Sequence, residues 1–382
     1  MSNPFEYGGV VGERAFCNRS KEMEEIRNAI QNADNIFIYG ERRLGKTSLI
    51  KMVLNKLPRE KYIPVYVDLW STNNQAEFAL SLARAVTQAS ATTQEKLIEF
   101  ARHFFASFKP SVSLNDEGKP QLIFGVTGYD TTINNAIEDV FNSLPNIAAK
   151  LKKQVVVALD EFQQVLEYED GDAAERRVRS AVQLHDDIAY VFLGSKKHII
   201  QQMFLNKQRP LYRSAQHYPL DMIETKHWIP FVKERFEKSG KQIEGGLIEE
   251  VCRFTGGHPF YTQHVCHALW ELTEPSLMAT AQLLEAAIEL LLDRETYAFS
   301  SLWESLAKNQ RLLLTAIASA DAPFKPFAGD FVRSSGMRTA SNVQRAAEAL
   351  LEKDIIERDA NGLFFVSDRF LKLWIERTIS GQ

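Results

Sequence analysis

The sequence has 382 residues, about two to three domains at roughly 100–200 residues each, and its 45% hydrophobic and 25% charged content excludes a disordered or fibrous chain. With 45 Lys and Arg against 49 Asp and Glu, the net charge of −4 excludes a uniformly basic nucleic-acid coat. Three cysteines, Cys17, Cys252 and Cys266, are too few for a disulfide framework, which predicts a reducing, cytoplasmic setting; no basic and apolar leader opens the sequence, and no stretch approaches the roughly 18 apolar residues of a membrane span.

In chain order, residues 20–33 place Met23, Ile26, Ile30 and Ala33 on one stripe behind Ser20 as N-cap, which predicts an amphipathic helix. Asn35-Ile36-Phe37-Ile38-Tyr39 follows as a nearly all-apolar run, the pattern of a strand buried on both faces of a parallel sheet. Similar runs occur at residues 63–69, 155–159 and 190–193, each reached through a helical stretch, so the reading is a doubly wound α/β core. About 85 residues separate the second run from the third, more than a single crossover needs, so residues 71–150 hold an insertion. It reads as helical over 75–107 and as a hairpin over 112–126, around the turn Asn115-Asp116-Glu117-Gly118. Residues 223–302 read as a helical module, interrupted at Thr255-Gly256-Gly257-His258-Pro259 by a helix stop and a restart with proline near its first position. Beyond it, helices are expected at 310–319, 329–335 and 341–353. They are followed by a hairpin of residues 355–358 and 363–366 around Asp359-Ala360-Asn361-Gly362, the layout of a winged helix-turn-helix. The expected domains are therefore 1–222, 223–302 and 303–382.

Gly40-Glu41-Arg42-Arg43-Leu44-Gly45-Lys46-Thr47 fits G-x-x-x-x-G-K-[ST] and stands between a buried strand and a helix, where a phosphate loop must be. Its consecutive N–H groups, continuing to Ser48, face an anion; Lys46 reaches the β- and γ-phosphates of ATP and Thr47 offers its hydroxyl to Mg²⁺. The apolar run 155–159 delivers Asp160 and Glu161 at its carboxyl end, where ligands bind in open α/β sheets. Asp160 is expected to hold Mg²⁺ through water, and Glu161 to polarise the attacking water. Ser195, after the fourth strand, has two readings: a sensor of the γ-phosphate, or the N-cap of the next helix. Cys252, His258, His264, Cys266 and His267 fall close together but lack the paired spacing of a zinc site, so a helical module with buried cysteines is expected instead.

Taken together, Phe16-x-x-Arg19, the phosphate loop, Asp160-Glu161-Phe162-Gln163, Gly194-Ser195, Pro210-Leu211-Tyr212-Arg213, Gly256-Gly257-His258-Pro259 and the terminal winged helix resemble the archaeal-type ATPases. That family belongs to the STAND class of AAA+-like P-loop NTPases. The resemblance implies a five-stranded core, a helical lid, and a nucleotide between them, with Gly257 and Pro259 closing over it and Phe16 and Arg19 near the base. It also implies for Arg213 a γ-phosphate or inter-subunit role in a homo-oligomer, with a structural salt bridge as the alternative.

Two readings of the whole chain follow. In one, ATP hydrolysis switches a winged helix that binds DNA: residues 331–347 carry Arg333, Arg338 and Arg345 and no acid, with Ser341 and Asn342 as polar donors beside Arg338 and Arg345. In the other, the winged helix docks a protein, because residues 330–377 balance 8 basic against 8 acidic side chains. A small-molecule kinase would need an acceptor pocket and leaves Glu161 without a task.

Overall fold

Each apolar run expected as a strand is one. In the computed structural model, which describes residues 2–91, 94–114, 120–124, 136–320, 337, 339–359 and 362–379, these runs are β1 (Ile36–Tyr39), β2 (Tyr62–Asp68), β5 (Gln154–Asp160) and β6 (Ala189–Gly194). A fifth strand, β7 (Gln216–Pro219), completes an all-parallel sheet in the order β2-β5-β6-β1-β7. Every residue of β1 and β6 is buried, as a parallel strand covered on both faces requires. β7 escapes the apolar-run criterion because it is an edge strand with a mostly exposed surface. The two prolines of this sheet, Pro64 in β2 and Pro219 in β7, both fall on edge strands, where a missing ladder donor is tolerated.

The connections are α1 (Ser20–Gln31), α2 (Lys46–Lys56), α3 (Gln75–Ser90), α4 (Gln94–Phe104), α5 (Ala136–Leu151), α6 (Gly171–Leu184) and α7 (Lys197–Leu205). Ser20 is the first helical residue of α1 and not its cap. The cap is Arg19, held at φ 70° with its guanidinium folded onto Glu22 at 2.7 Å. The insertion carries α3, α4, α5 and an antiparallel hairpin of β3 (Pro110–Leu114) and β4 (Pro120–Phe124), whose expected turn lies outside the described residues. Phe124 anchors the hairpin by meeting Phe105 and Phe108 edge-on, at ring-centroid distances of 6.3 and 6.4 Å. The insertion thus continues the core cluster of the sheet: Phe78, Leu82, Phe141 and Leu144 are buried with Val155, Val157 and Phe192.

The chain divides into two compact units, Val10–Asp221 and a second formed by Met1–Gly9 with Met222–Gln382. The second unit holds α8 (Thr225–Lys238), α9 (Leu247–Thr255), α10 (Pro259–Leu272), α11 (Ala281–Ser305), α12 (Lys308–Ala318), α13 (Ala340–Glu352) and α14 (Arg369–Thr378). It also holds a short parallel pair, β8 (Gln242–Ile243) with β9 (Met278–Ala279), and the antiparallel hairpin of β10 (Ile356–Arg358) and β11 (Phe364–Val366). The helix expected at 329–335 lies outside the described residues. α14, which the sequence reading does not anticipate, buries Phe370, Leu371, Trp374 and Ile375 behind an Asp368 cap. Phe370 packs against Phe254, Tyr261 and His264, and Trp374 against Phe299 and Trp303, so the hairpin-bearing end of the chain shares its core with α9–α11. Among the described residues no helix is long and apolar enough to cross a membrane.

The stop at residues 256–257 is sterically fixed. Gly257 has φ 71°, and a Cβ there would lie 2.2 Å from the carbonyl oxygen of Ile223. Its own carbonyl accepts from Ile223 N and Trp228 Nε1, both at 3.2 Å, and Pro259 then opens α10. Gly257→Ala should therefore cost about 2–5 kcal/mol in denaturant unfolding, backbone strain and overlap together. Gly240→Ala, at φ 72° with nothing within 4 Å of the new methyl, should cost only about 1–2 kcal/mol.

Candidate nucleotide site

The phosphate loop leaves β1 at Tyr39 and enters α2 at Lys46. Gly40 lets it pass close beside the edge of the sheet: a Cβ there would meet the Leu220 carbonyl oxygen at 2.7 Å and Leu44 Cδ2 at 2.9 Å. Arg43 at φ 59° and Gly45 at φ 87° then turn the chain so that the N-terminus of α2 faces the loop's concavity. Leu44 is buried beneath the loop, Glu41 is half-buried, and Arg42 and Arg43 are exposed. The Lys46 ammonium is folded back into the loop, donating to the carbonyls of Gly40 at 3.0 Å and Glu41 at 2.8 Å. A cation and a helix N-terminus directed into one concavity are chemically matched to phosphate oxygens. Ser48 turns the other way, its Oγ accepting from Val11 N at 3.0 Å.

Asp160, 3% exposed at the tip of β5, is fully engaged. Its Oδ2 accepts from Thr47 Oγ1 at 2.6 Å and from the Tyr66 hydroxyl at 2.8 Å, and its Oδ1 accepts from Glu161 N at 2.9 Å. Burial, and then the Asp160 charge beside it, push the Tyr66 phenol far above the ordinary tyrosine range, so it stays a donor. A carboxylate and a hydroxyl in contact under a phosphate loop form the hard oxygen set that suits Mg²⁺. Among the described residues, no cluster of three or more His, Cys, Asp or Glu side chains is placed to hold a metal ion.

Glu161 adopts φ 52°, a left-handed conformation that starts a 3-10 turn at Phe162. Its Oε2 accepts from Ser195 Oγ at 2.7 Å and from Gln163 Nε2. Ser195 therefore does not cap α7, whose N-cap is Lys196 with no side-chain bond. Thr47, Asp160, Glu161 and Ser195 are thus brought together by hydrogen bonds. Sequence reasoning does not place Tyr66 or Gln163 in the site. The missing information is strand register: Tyr66 lies beside Ala158, and Asp68 beside Asp160, only once β2 is paired with β5.

Arg213 is exposed, at φ 55°, with its guanidinium 5.3 Å from the Tyr212 ring centre and no ion pair among the described residues. The loop that presents it is clamped to α6. Arg209 pairs with Asp172 at 2.9 Å and with the fully buried Glu175, and Arg179 donates to the Tyr212 carbonyl at 3.2 Å. Burial raises the Glu175 carboxyl above its ordinary range, against the pull of Arg209. Arg19 is 4% exposed and donates to the Asp221 carbonyl as well as to Glu22. Gly257 and Pro259 belong to the second unit. There too, Ser341 and Arg345 are exposed on α13, whereas the Asn342 amide is spent on the Met337 carbonyl at 3.0 Å; Arg338 lies outside the described residues.

A buried strand, a phosphate loop, a helix, and a second strand tipped by two carboxylates define a P-loop NTPase. Residues 16–265 match the ATPase domain found predominantly in Archaea, and residues 297–377 match a probable winged helix domain. The chain belongs to that archaeal ATPase family. An ATP-binding protein of Methanocaldococcus jannaschii is 28% identical over 167 residues, covering 41% of this chain and 45% of the relative. Another from the same organism is 26% identical over 266 residues, covering 64% and 68%. The matched region thus spans less than half the length of the first of these relatives. Among solved structures, the Walker-type ATPase of Pyrococcus abyssi shares the fold with a TM-score of 0.66 at 15% identity, covering 95% of this chain and 97% of that one. The Aeropyrum pernix ORC2 protein, in its ADPNP–ADP complexes, gives 0.55 at 14% identity, covering 99% and 100%.

Tyr66→Phe removes one donor from Asp160 and leaves the ring in place. It should weaken Mg²⁺-dependent ATP binding about tenfold, as loss of a carboxylate's supporting bond does. Binding measured calorimetrically in EDTA should stay at the parent value; an equal loss in EDTA would show that Tyr66 supports the loop and not the metal carboxylate.

Proposed function

We propose that the protein is an ATP-hydrolysing switch whose site is the phosphate loop with Thr47, Asp160, Glu161 and Ser195. The hydrogen-bonded chain from Thr47 through Asp160 to Glu161 and Ser195 carries this reading. It supports the reading because a hydroxyl–carboxylate pair suited to Mg²⁺ and a second carboxylate stand side by side at the carboxyl end of the sheet. The N–H groups of residues 40–48 and the Lys46 ammonium hold the β- and γ-phosphates. Thr47, with Asp160 through water, would hold Mg²⁺, which supplies positive charge to the phosphate oxygens. Glu161 orients and polarises the attacking water, and Ser195 fixes the Glu161 carboxylate and serves as the sensor of the γ-phosphate. Arg213, exposed on a clamped loop, is assigned to a neighbouring copy's nucleotide in a homo-oligomer, which makes turnover slow until a partner completes the site. The division into a core to residue 222, a helical lid over 223–302 and a winged helix from 303 is part of the same proposal. So is a cytoplasmic setting, in keeping with three buried cysteines that form no disulfide with one another.

Lys46→Ala should abolish ATP binding in calorimetry. Glu161→Gln should keep ATP binding within about twofold while lowering turnover at least about a hundredfold, because a general base acts in the transition state. Unchanged turnover in that variant moves the base elsewhere.

For the output of the switch, DNA is the first reading, because Ser341 and Arg345 are exposed on the first turns of α13. Replacing Arg338 and Arg345 with Ala should weaken DNA binding and lower the log–log salt slope by about 0.9 for each phosphate no longer neutralised. The docking of a protein is favoured by one observation, an open groove of about 650 Å³ whose floor of Trp303, Leu312, Ala316 and Ile379 is flanked by Lys308, Arg311 and Thr315. If the ATP-bound chain fails to bind DNA even at low salt, this second reading replaces the first.

A further inference from the structure

Gln163 has no task in the reading just given, yet it is hydrogen-bonded to Glu161. It is 3% exposed, and burying an amide is unfavourable unless both of its ends are hydrogen-bonded. Only one end is. Nε2 donates to Glu161 Oε2, the same oxygen that accepts from Ser195, whereas Oε1 is buried with no hydrogen-bond partner among the described residues. A glutamine kept for stability would satisfy both ends or give way to an apolar side chain of the same length. This one contributes a single directed bond, and it contributes it to the water-polarising carboxylate.

The surroundings are shaped to hold it there. The left-handed backbone of Glu161 starts a 3-10 turn, Phe162–Glu167, that brings residue 163 back beneath the carboxylate. Phe162, fully buried against Phe192 at 4.8 Å and Phe204 at 6.2 Å, anchors the turn. On the far side, Gly194 makes the space: a Cβ there would lie 2.6 Å from Gln163 Oε1 and 2.8 Å from Ile200 Cδ1. The last residue of β6 and the one that follows it therefore serve one group. Ser195 bonds the Glu161 carboxylate, and Gly194 leaves room for the amide that bonds it too.

We infer that Gln163 is a positioning residue that pins Glu161 Oε2 together with Ser195, leaving Oε1 as the oxygen presented to water. This rests on Glu161 as the polarising group. Two donors converging on one oxygen fix the carboxylate's rotamer, so that its lone pairs are aimed before ATP arrives.

The test uses the full chain and three readouts: single-turnover hydrolysis, ATP affinity and Tm. Gln163→Met keeps the length and removes the donor. The expected result is a rate at least about tenfold lower, an ATP Kd within about twofold of the parent, and a Tm equal or higher, because the unsatisfied buried acceptor is gone. In a Glu161→Gln background the same change should cause no further loss. Gly194→Ala, which pushes on Oε1 from behind, should reproduce the loss of rate. A normal rate in Gln163→Met while Glu161→Gln is slow overturns the positioning role and leaves the base assignment standing. A lowered Tm, or a further loss of rate in the Glu161→Gln background, makes Gln163 a structural residue and overturns it equally. A Glu161→Gln variant as fast as the parent removes the base assignment itself.

Discussion

The buried Asp160 carboxylate is the point on which the nucleotide-binding unit depends. A charged group at 3% exposure persists only if hydrogen bonds replace the water it has lost, and three do. One donor comes from the start of α2, one from β2 and one from the backbone that follows β5. These are the pieces that must be held in register for a phosphate loop to stand over the tip of β5. The donors that make the burial of Asp160 tolerable also fix the direction of its carboxylate.

Much of this is legible in the sequence, because the strongest signals are chemical and local. The apolar runs ending at Tyr39, Leu159 and Leu193 mark central strands, and Gly40 to Thr47 mark the loop, since few other sequences can turn a strand into a helix around an anion. What stays hidden needs information that no local window holds. β7 reads Gln-His-Tyr-Pro because an edge strand has only one neighbour to satisfy and one side in water. Tyr66 becomes a partner of Asp160 only through the pairing of β2 with β5, and Gln163, although part of the family-like motif, acquires a role only when the turn after Glu161 folds it back. α14 is different, because its signal is local. Asp368 followed by Phe370, Leu371, Trp374 and Ile375 is a cap followed by a helical stripe.

In the second unit, aromatic packing ties the last helix to the helices before it. Phe370 sits among Phe254, Tyr261 and His264, and Trp374 between Phe299 and Trp303, so the last helix of the winged-helix region is bolted to α9, α10 and α11. Edge-to-face and tilted ring pairs are directional as well as apolar. A displacement of α10 or α11 is therefore transmitted to α14 and the hairpin beside it. For a switch, that is a mechanical linkage inside a single compact unit.

The residues before Gly9 belong to that same unit although they are separated from it by the whole of the nucleotide-binding unit. Phe5 is 2% exposed and packs on Phe236 at 5.7 Å, Tyr7 stacks on His264 at 4.1 Å, and Asn3 donates to the carbonyl of His267. On the ribosome, Phe5 meets its partner only after roughly 230 further residues have been added, a wait of roughly 10–50 s at about 5–20 residues per second. The sheet and its insertion can close during that interval, but α8 and α10 cannot complete their core until a segment made long before is brought back to them. Assembly of the second unit is thus ordered after the first by connectivity alone, and an N-terminal fusion that held the Phe5 segment away would interfere with the helices while sparing the phosphate loop.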